Sequence, residues 1–180
     1  MKVSKILKII GVLFLIIIFG GIYVSFINPS SPRGSSDLVK ESLVMEVDYS
    51  RPYKKERLIF GETSEGALVP FNNYWRLGAN FSTTFETNES ISFAGRLIEP
   101  GKYRMYAVPH KDTWQITLNT DAGAFGYSEP DYDKDLISVN VSSKQMTEII
   151  EQLTIDFIDD SIGTSLRIRW DSTQVLVPLN

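Results

Sequence analysis

The sequence contains no cysteine and only one histidine among its 180 residues. The absence of cysteine excludes disulfide bonds, thiolate catalysis, cysteine-based zinc sites and an acylated lipoprotein cysteine. His110 follows Pro109 at a predicted hairpin turn, where a catalytic base would have little support from a third residue. No phosphate-binding loop and no dinucleotide fingerprint occurs in the sequence. We therefore predict no catalytic residue, no metal site and no cofactor.

Basic residues are scarce in the larger part of the chain. Four of the 18 basic residues, but only one of the 22 acidic residues, fall within the first 37 positions. Residues 38 to 180 therefore hold 14 basic and 21 acidic residues, a net charge of −7. Because an acidic domain repels phosphate backbones, we do not expect nucleic acid as a partner.

A long apolar run near the N-terminus is the clearest signal in the sequence. Residues 9 to 27 carry no charge, and a helix of this length covers roughly the 30 Å of a bilayer core. Three lysines precede the run, so the positive-inside rule places residues 1 to 8 in the cytoplasm and the rest in the periplasm or outside the cell. The alternative is a cleaved signal peptide, which usually has a shorter apolar core and a small-x-small cleavage site. The sequence predicts a single-pass signal anchor over residues 9 to 27.

The part of the chain after the anchor changes character twice. Residues 28 to 37 are rich in proline, serine and glycine, which predicts a flexible linker. From residue 38 to residue 180, short runs alternate apolar and polar side chains, as in residues 43 to 49 and 114 to 118. Such alternation is typical of strands with one buried face, so we predict one extracytoplasmic all-β domain here.

Turn residues separate these runs at spacings of about ten residues, which is typical of a β-sandwich or a barrel. One stretch departs from the pattern: residues 142 to 153 place Met146, Ile149, Ile150 and Leu153 at helical spacing. This stretch is predicted as a short helix or as part of a longer strand. The predicted fold class is an all-β, antiparallel sandwich or barrel-like domain behind one N-terminal transmembrane helix.

Two segments, residues 49 to 61 (YSRPYKKERLIFG) and 69 to 80 (VPFNNYWRLGAN), combine arginine with aromatic side chains. Arginine is a planar, permanently charged fork that suits carboxylates, and aromatic rings beside it suit a sugar or a peptide. In the alternative interpretation the arginines neutralise internal acids and the tryptophan plugs one end of the sandwich. The candidate ligand-binding residues are Arg51, Arg57, Trp75, Arg76 and Asn80.

The same segments contain short motifs that follow one another in a fixed order. They are Arg51-Pro52, Arg57 with Ile59-Phe60-Gly61, Val69-Pro70, Trp75-Arg76, Gly78-Ala79-Asn80, Pro100-Gly101 with Tyr103, Trp114 and Gly126-Tyr127. This ordered set resembles domain-of-unknown-function family 2911, which is found in bacterial envelope proteins. The resemblance covers about residues 40 to 170 and implies no activity, because the family has none assigned. The family motif tends to continue with an acidic residue after Gly-Ala-Asn, whereas Phe81 stands there in this chain.

From these features we predict a membrane-anchored β-domain of unknown molecular activity that acts as a binding or interaction module of the bacterial cell envelope. Its partners would be the membrane, through residues 9 to 27, and an envelope glycan, peptide or protein. One alternative is a carboxylate-based enzyme acting on glycan or peptide, which needs two carboxylates roughly 5 to 9.5 Å apart in a cleft with Trp75. A second alternative is a purely structural envelope protein without a cleft near Trp75.

Overall fold

The computed structural model describes residues 3–22, 30–123 and 126–180. The chain divides into two compact units, one ending at Pro32 and the other running from Arg33 to Asn180. The first unit contains helix α1 (Val3–Ile22). The predicted membrane span continues into residues 23 to 27, which lie outside the described residues. Within the described part of the chain, no helix is long and apolar enough to cross a membrane.

The second unit is built mostly from antiparallel β-sheet. Nine of its strands form one sheet in the order β1-β2-β5-β8-β9-β10-β11-β6-β7, and a small parallel pair, β3-β4, lies outside it. The two ends of this order, β1 and β7, are not paired with each other, so the sheet is not a closed barrel. The strands are β1 (Arg33–Lys40), β2 (Leu43–Ser50), β3 (Phe60–Gly61), β4 (Val69–Pro70), β5 (Thr83–Thr87), β6 (Ile91–Phe93), β7 (Arg96–Ile98), β8 (Gly101–Pro109), β9 (Thr113–Asn119), β10 (Asp135–Asp160) and β11 (Gly163–Leu179).

Strand β1 overlaps the predicted linker, residues 28 to 37. It pairs with β2 along its whole length, from Arg33 opposite Ser50 to Lys40 opposite Leu43. Residues 33 to 37 are therefore strand, and the composition misled because small residues have a packing role here. A Cβ atom on Gly34 would lie closer than 3.0 Å to the Arg51 side chain, so only glycine leaves room for that arginine.

Strand β10 joins the two halves of the sheet. It pairs with β9 through residues 135 to 142 and with β11 through residues 143 to 160. The pairing with β11 is irregular between Gln145 and Thr154. The stretch with helical spacing lies in this region and is strand. It pairs with β11 at residues 143 to 145 and 150 and with residues 52 to 54 near its end, and these pairings override the local pattern. Ile149, one of the residues with that spacing, is 56% exposed.

The centre of the core is an aromatic cluster. Trp75, Trp114 and Trp170 are all buried, and the Trp75 ring contacts both of the others. The Trp75 and Trp170 rings stack with centroids 5.9 Å apart, while the edge of Trp75 meets Trp114 at 5.6 Å. The ring of Phe60, the first residue of β3, packs with its centroid 5.6 Å from that of Trp75. Aliphatic side chains from both halves of the sheet surround this cluster.

Candidate functional site

Trp75 belongs to the core rather than to a surface site. Its side chain is 7% exposed, and its backbone pairs with Ala107 of β8 through two hydrogen bonds of 2.8 and 2.9 Å. Asn72 continues this pairing by donating its N–H to the Pro109 carbonyl. Residues 72 to 75 therefore pair with β8 along the same edge as β5. This position agrees with the structural interpretation of Trp75, in which the indole is packed inside the domain.

Arg51 and Arg57 bind the main chain around the irregular part of β10. The Arg51 Nε donates to the Leu153 carbonyl at 3.2 Å, and Leu153 in turn donates its N–H to the Pro52 carbonyl. The Arg57 guanidinium donates to the carbonyls of Lys54 and Tyr53 within its own loop. Arg51 also donates to the Thr154 hydroxyl at 3.4 Å. The hydrogen-bond partners of these arginines are therefore neutral oxygens, not the internal acids that the structural interpretation predicted.

Arg76 and Asn80 meet a distant part of the sequence. The Arg76 guanidinium lies over the Tyr127 ring, 5.4 Å from its centroid. A Cβ atom on Gly126 would lie closer than 3.0 Å to backbone atoms of Asn80, Phe81 and Ser82. The Gly126-Tyr127 motif is therefore packed directly against the segment that follows Trp75. Gly126 is buried by this contact, whereas Asn80 and Tyr127 are exposed and Arg76 is partly exposed.

A row of polar side chains crosses the face of the sheet opposite the aromatic core. For those on β2, β5, β8 and β9, the neighbours within the strand belong largely to the buried apolar core, so alternation directs these side chains to the other face. Asp135 joins them at an irregularity in the pairing of β10, where it accepts hydrogen bonds from Tyr106 and Asn119. The sequence pattern identifies each of them only as a polar position in its strand. Register alone brings them together, because each is paired directly with the next: Asp48, Thr84, Arg104, Asn119 and Asp135.

Residues 126 to 134, in the loop between β9 and β10, cover one half of this row. In this covered half, each carboxylate oxygen of Asp135 accepts one hydrogen bond, from Tyr106 Oη at 2.6 Å and from Asn119 Nδ2 at 2.8 Å. Asn119 also donates to the Asp131 carbonyl in the loop. Burial, followed by the hydrogen bond to Asp135, raises the pKa of Tyr106 well above its ordinary value of 10.0. Tyr106 is therefore a neutral donor at physiological pH.

Arg104 lies at the centre of the covered half and is 1% exposed. Its Nη2 donates to Tyr74 Oη at 2.7 Å and to the Ser128 carbonyl at 2.6 Å. Both acceptors are neutral, and the buried Nε has no hydrogen-bond partner among the described residues. Every Asp and Glu of the sequence belongs to those residues, and none lies within 4.0 Å of the Arg104 guanidinium. Arg104 is a buried cation without a carboxylate partner.

The other half of the row is open and forms a cleft of about 350 Å³. Its charged side chains are paired: Arg33 binds Asp48 at 2.5 Å, and Lys102 binds Glu86 at 3.0 Å. Arg33 also lies over the Phe81 ring, 5.5 Å from its centroid. We call this space the outer-face cleft; it is lined by Arg33, Asp48, Phe81, Ser82, Thr84, Lys102, Ala122 and Gly123.

No group of three or more histidine or carboxylate side chains in the described parts of the chain is placed to hold a metal ion. The cleft and the covered row together define a class: a small antiparallel β-domain with a polar network buried beside an open surface cleft. The model of the family described as protein of unknown function (DUF2911) matches residues 31–179, and the chain belongs to this family. This match confirms the resemblance seen in the ordered motifs. No curated protein and no solved structure matches the chain significantly.

Proposed function

We propose that the chain is a membrane-anchored protein of the bacterial cell envelope whose β-domain binds a ligand in the outer-face cleft. The observation that carries this proposal is where the family motifs meet. The segment of Arg76 and Asn80 and the motif Gly126-Tyr127 are far apart in sequence, yet they pack together beside Phe81 at the wall of the cleft. Packing of the core explains the tryptophan motifs but not this surface arrangement.

The cleft has the size and chemistry for one sugar unit or one peptide side chain. Its volume of about 350 Å³ lies at the lower end of the range for small-molecule sites, roughly 300 to 1,000 Å³. An aromatic ring, two hydroxyl side chains and ion-paired charges line it, and this combination offers both apolar contact and hydrogen bonds. An envelope glycan or a peptide is therefore the proposed class of ligand.

The state of the nearby carboxylates favours a binding module over a carboxylate-based enzyme. Asp48 is held by Arg33, and both oxygens of Asp135 are held by Tyr106 and Asn119. A general base must be free to reach a substrate proton. The cleft that the enzyme interpretation required beside Trp75 does not form among the described residues, because Trp75 is in the core. The presence of the outer-face cleft likewise favours binding over a purely structural role.

Filling the cleft tests the proposed binding. Gly123 lines the cleft, and a Cβ atom added there meets no described atom within 4 Å, so Gly123→Trp is a substitution that adds bulk at the cleft wall. Purified full-length protein in nonionic detergent is titrated with peptidoglycan fragments and with envelope peptides by calorimetry. We expect Gly123→Trp to weaken binding by at least about 10-fold, or about 1.4 kcal/mol. Ser161→Trp, at an exposed position between β10 and β11, is the matched control and should bind normally. Equal affinities for the two variants would refute the cleft as the site.

The membrane anchor is proposed from the apolar run of residues 9 to 27 and the three lysines before it. When the full chain is made in a bacterium, we expect it to stay in the membrane pellet after carbonate extraction. Protease added to cells with a permeable outer envelope should digest the β-domain and leave a short N-terminal fragment. Recovery of soluble protein that starts between about residues 25 and 35 would instead identify the run as a cleaved signal peptide.

A further inference from the structure

We propose that the ligand of the outer-face cleft carries an oxyanion, a carboxylate or a phosphate group, and that Arg104 balances its charge. This inference rests on the proposed binding function and adds the chemical class of the ligand. It starts from the burial of Arg104, which is 1% exposed and has only neutral acceptors. A buried charge is costly unless an opposite charge compensates it.

The chain itself does not provide that compensating charge. Asp135 is two places from Arg104 in the polar row and lies outside ion-pair distance of it. Both of its carboxylate oxygens accept hydrogen bonds, from Tyr106 and from Asn119. On the other side of the row, Asp48 is paired with Arg33. The residues outside the described parts contain no Asp or Glu, so no further acid of the chain is left to provide the charge. An anion that compensates Arg104 would therefore come from another molecule.

The cleft adjoins the position of Arg104, although Arg104 itself is buried and does not line it. Thr84, on the floor of the cleft, is the direct cross-strand neighbour of Arg104 on the same face of the sheet. Side chains in such positions have Cβ atoms about 4.5 to 5.5 Å apart, so the Arg104 side chain leaves the sheet directly beside the floor of the cleft. The Nε of Arg104 has no acceptor, and Nη2 is held only by neutral oxygens.

Arginine binds oxyanions through two parallel N–H donors, and this geometry suits carboxylates and phosphates alike. The carboxylate of a peptide or an acidic sugar and the phosphate of a glycan or lipid are thus chemically equivalent at this site. If a charged oxyanion replaced these neutral oxygens as the acceptor, the hydrogen bonds that Arg104 donates would become stronger. The ion-paired Arg33 and Lys102 at the rim would attract such a group less than Arg104 does, because each already has its own acid.

The test measures thermal unfolding of the full-length protein in nonionic detergent, with inorganic phosphate, acetate or chloride at matched ionic strength. We expect phosphate or acetate to raise the unfolding midpoint by at least about 2 °C over chloride. The larger of the two rises identifies the preferred oxyanion. Arg104→Gln should abolish the rise, whereas Arg167→Gln, which removes an arginine paired with Asp156 on β10, should keep it. A rise that persists in Arg104→Gln, or no rise in the native protein, would overturn the inference.

A second variant keeps the inference testable if Arg104→Gln does not fold. Thr84→Asp places a carboxylate beside Arg104 and supplies the missing charge from within the chain. It should abolish the response to phosphate and acetate, whatever its effect on the midpoint in chloride, because the new carboxylate also lies opposite Asp48. An unchanged response in Thr84→Asp would refute the inference. Binding of a neutral glycan that Gly123→Trp blocks, without any oxyanion effect, would refute the inference while leaving the proposed binding function intact.

Discussion

Replacement of Trp75 by alanine is expected to destabilise the β-domain by about 3 to 5 kcal/mol, as for other buried large aromatic side chains. The indole is 7% exposed and contacts the rings of Trp114, Trp170 and Phe60, so its removal leaves a cavity bounded by three rings. The loss of these ring contacts adds to the loss of buried area. Urea unfolding of the full-length variant in nonionic detergent, followed by tryptophan fluorescence and circular dichroism, measures the effect.

Leu97→Ala is the control for this experiment. Leu97 is a large apolar residue on β7 that is 69% exposed, and its truncation should change the free energy of unfolding by less than about 0.5 kcal/mol. If Trp75→Ala unfolded at the same urea concentration as Leu97→Ala, Trp75 would not be a core residue. In that case its side chain would have to be considered again as part of a binding surface.

The second large effect is expected at Gly126, where alanine should cost about 1 to 3 kcal/mol through overpacking. The added Cβ would lie closer than 3.0 Å to backbone atoms of residues 80, 81 and 82, and backbone cannot move aside as a side chain can. The loop that covers Arg104 must then shift away from the cleft wall. We therefore expect Gly126→Ala to weaken ligand binding as well as stability.

Gly123 offers a matched control three positions earlier in the same loop. A Cβ atom there meets no described atom within 4 Å, so Gly123→Ala should alter stability by less than about 0.5 kcal/mol. Gly123→Ala and Gly126→Ala make the same chemical change in the same loop, but only the Cβ atom at residue 126 would contact residues 80 to 82. Equal unfolding midpoints for the two would show that Gly126 is not clamped against this segment.

The alternating strands were accessible from the sequence because each depends on local pattern. The runs at residues 43 to 49, 103 to 108 and 114 to 118 lie in β2, β8 and β9, where one face packs on the aromatic core. The family was accessible as well, because its motifs are short and keep their order. Strand β1 could not be predicted in this way, because Gly34 and the serines after it have the composition of a linker. The packing of the Arg51 side chain on Gly34 is visible only in the structure.

The polar row could not be predicted from the sequence for a different reason. Asp48 and Asp135 are 87 positions apart, and only the register of four strand pairings places them on one line. Arg104 is a polar position of an alternating strand, which ordinarily predicts exposure. Its burial comes from the loop after β9, and no local signal shows that this loop folds back over the sheet. The prominent arginines, Arg51 and Arg57, bind main-chain carbonyls instead.

The central position of β10 has a consequence for the order in which the domain can be completed. A chain synthesised from its N-terminus presents β1 to β9 first, and β9 then has an open edge on the side where β10 will pair. Open edges of this kind recruit strands from other molecules. The edge is closed only when residues 135 to 142 have followed, and the other half of the sheet needs β11 as well. Until the last quarter of the chain has emerged, the nascent domain therefore depends on being kept apart from its own copies.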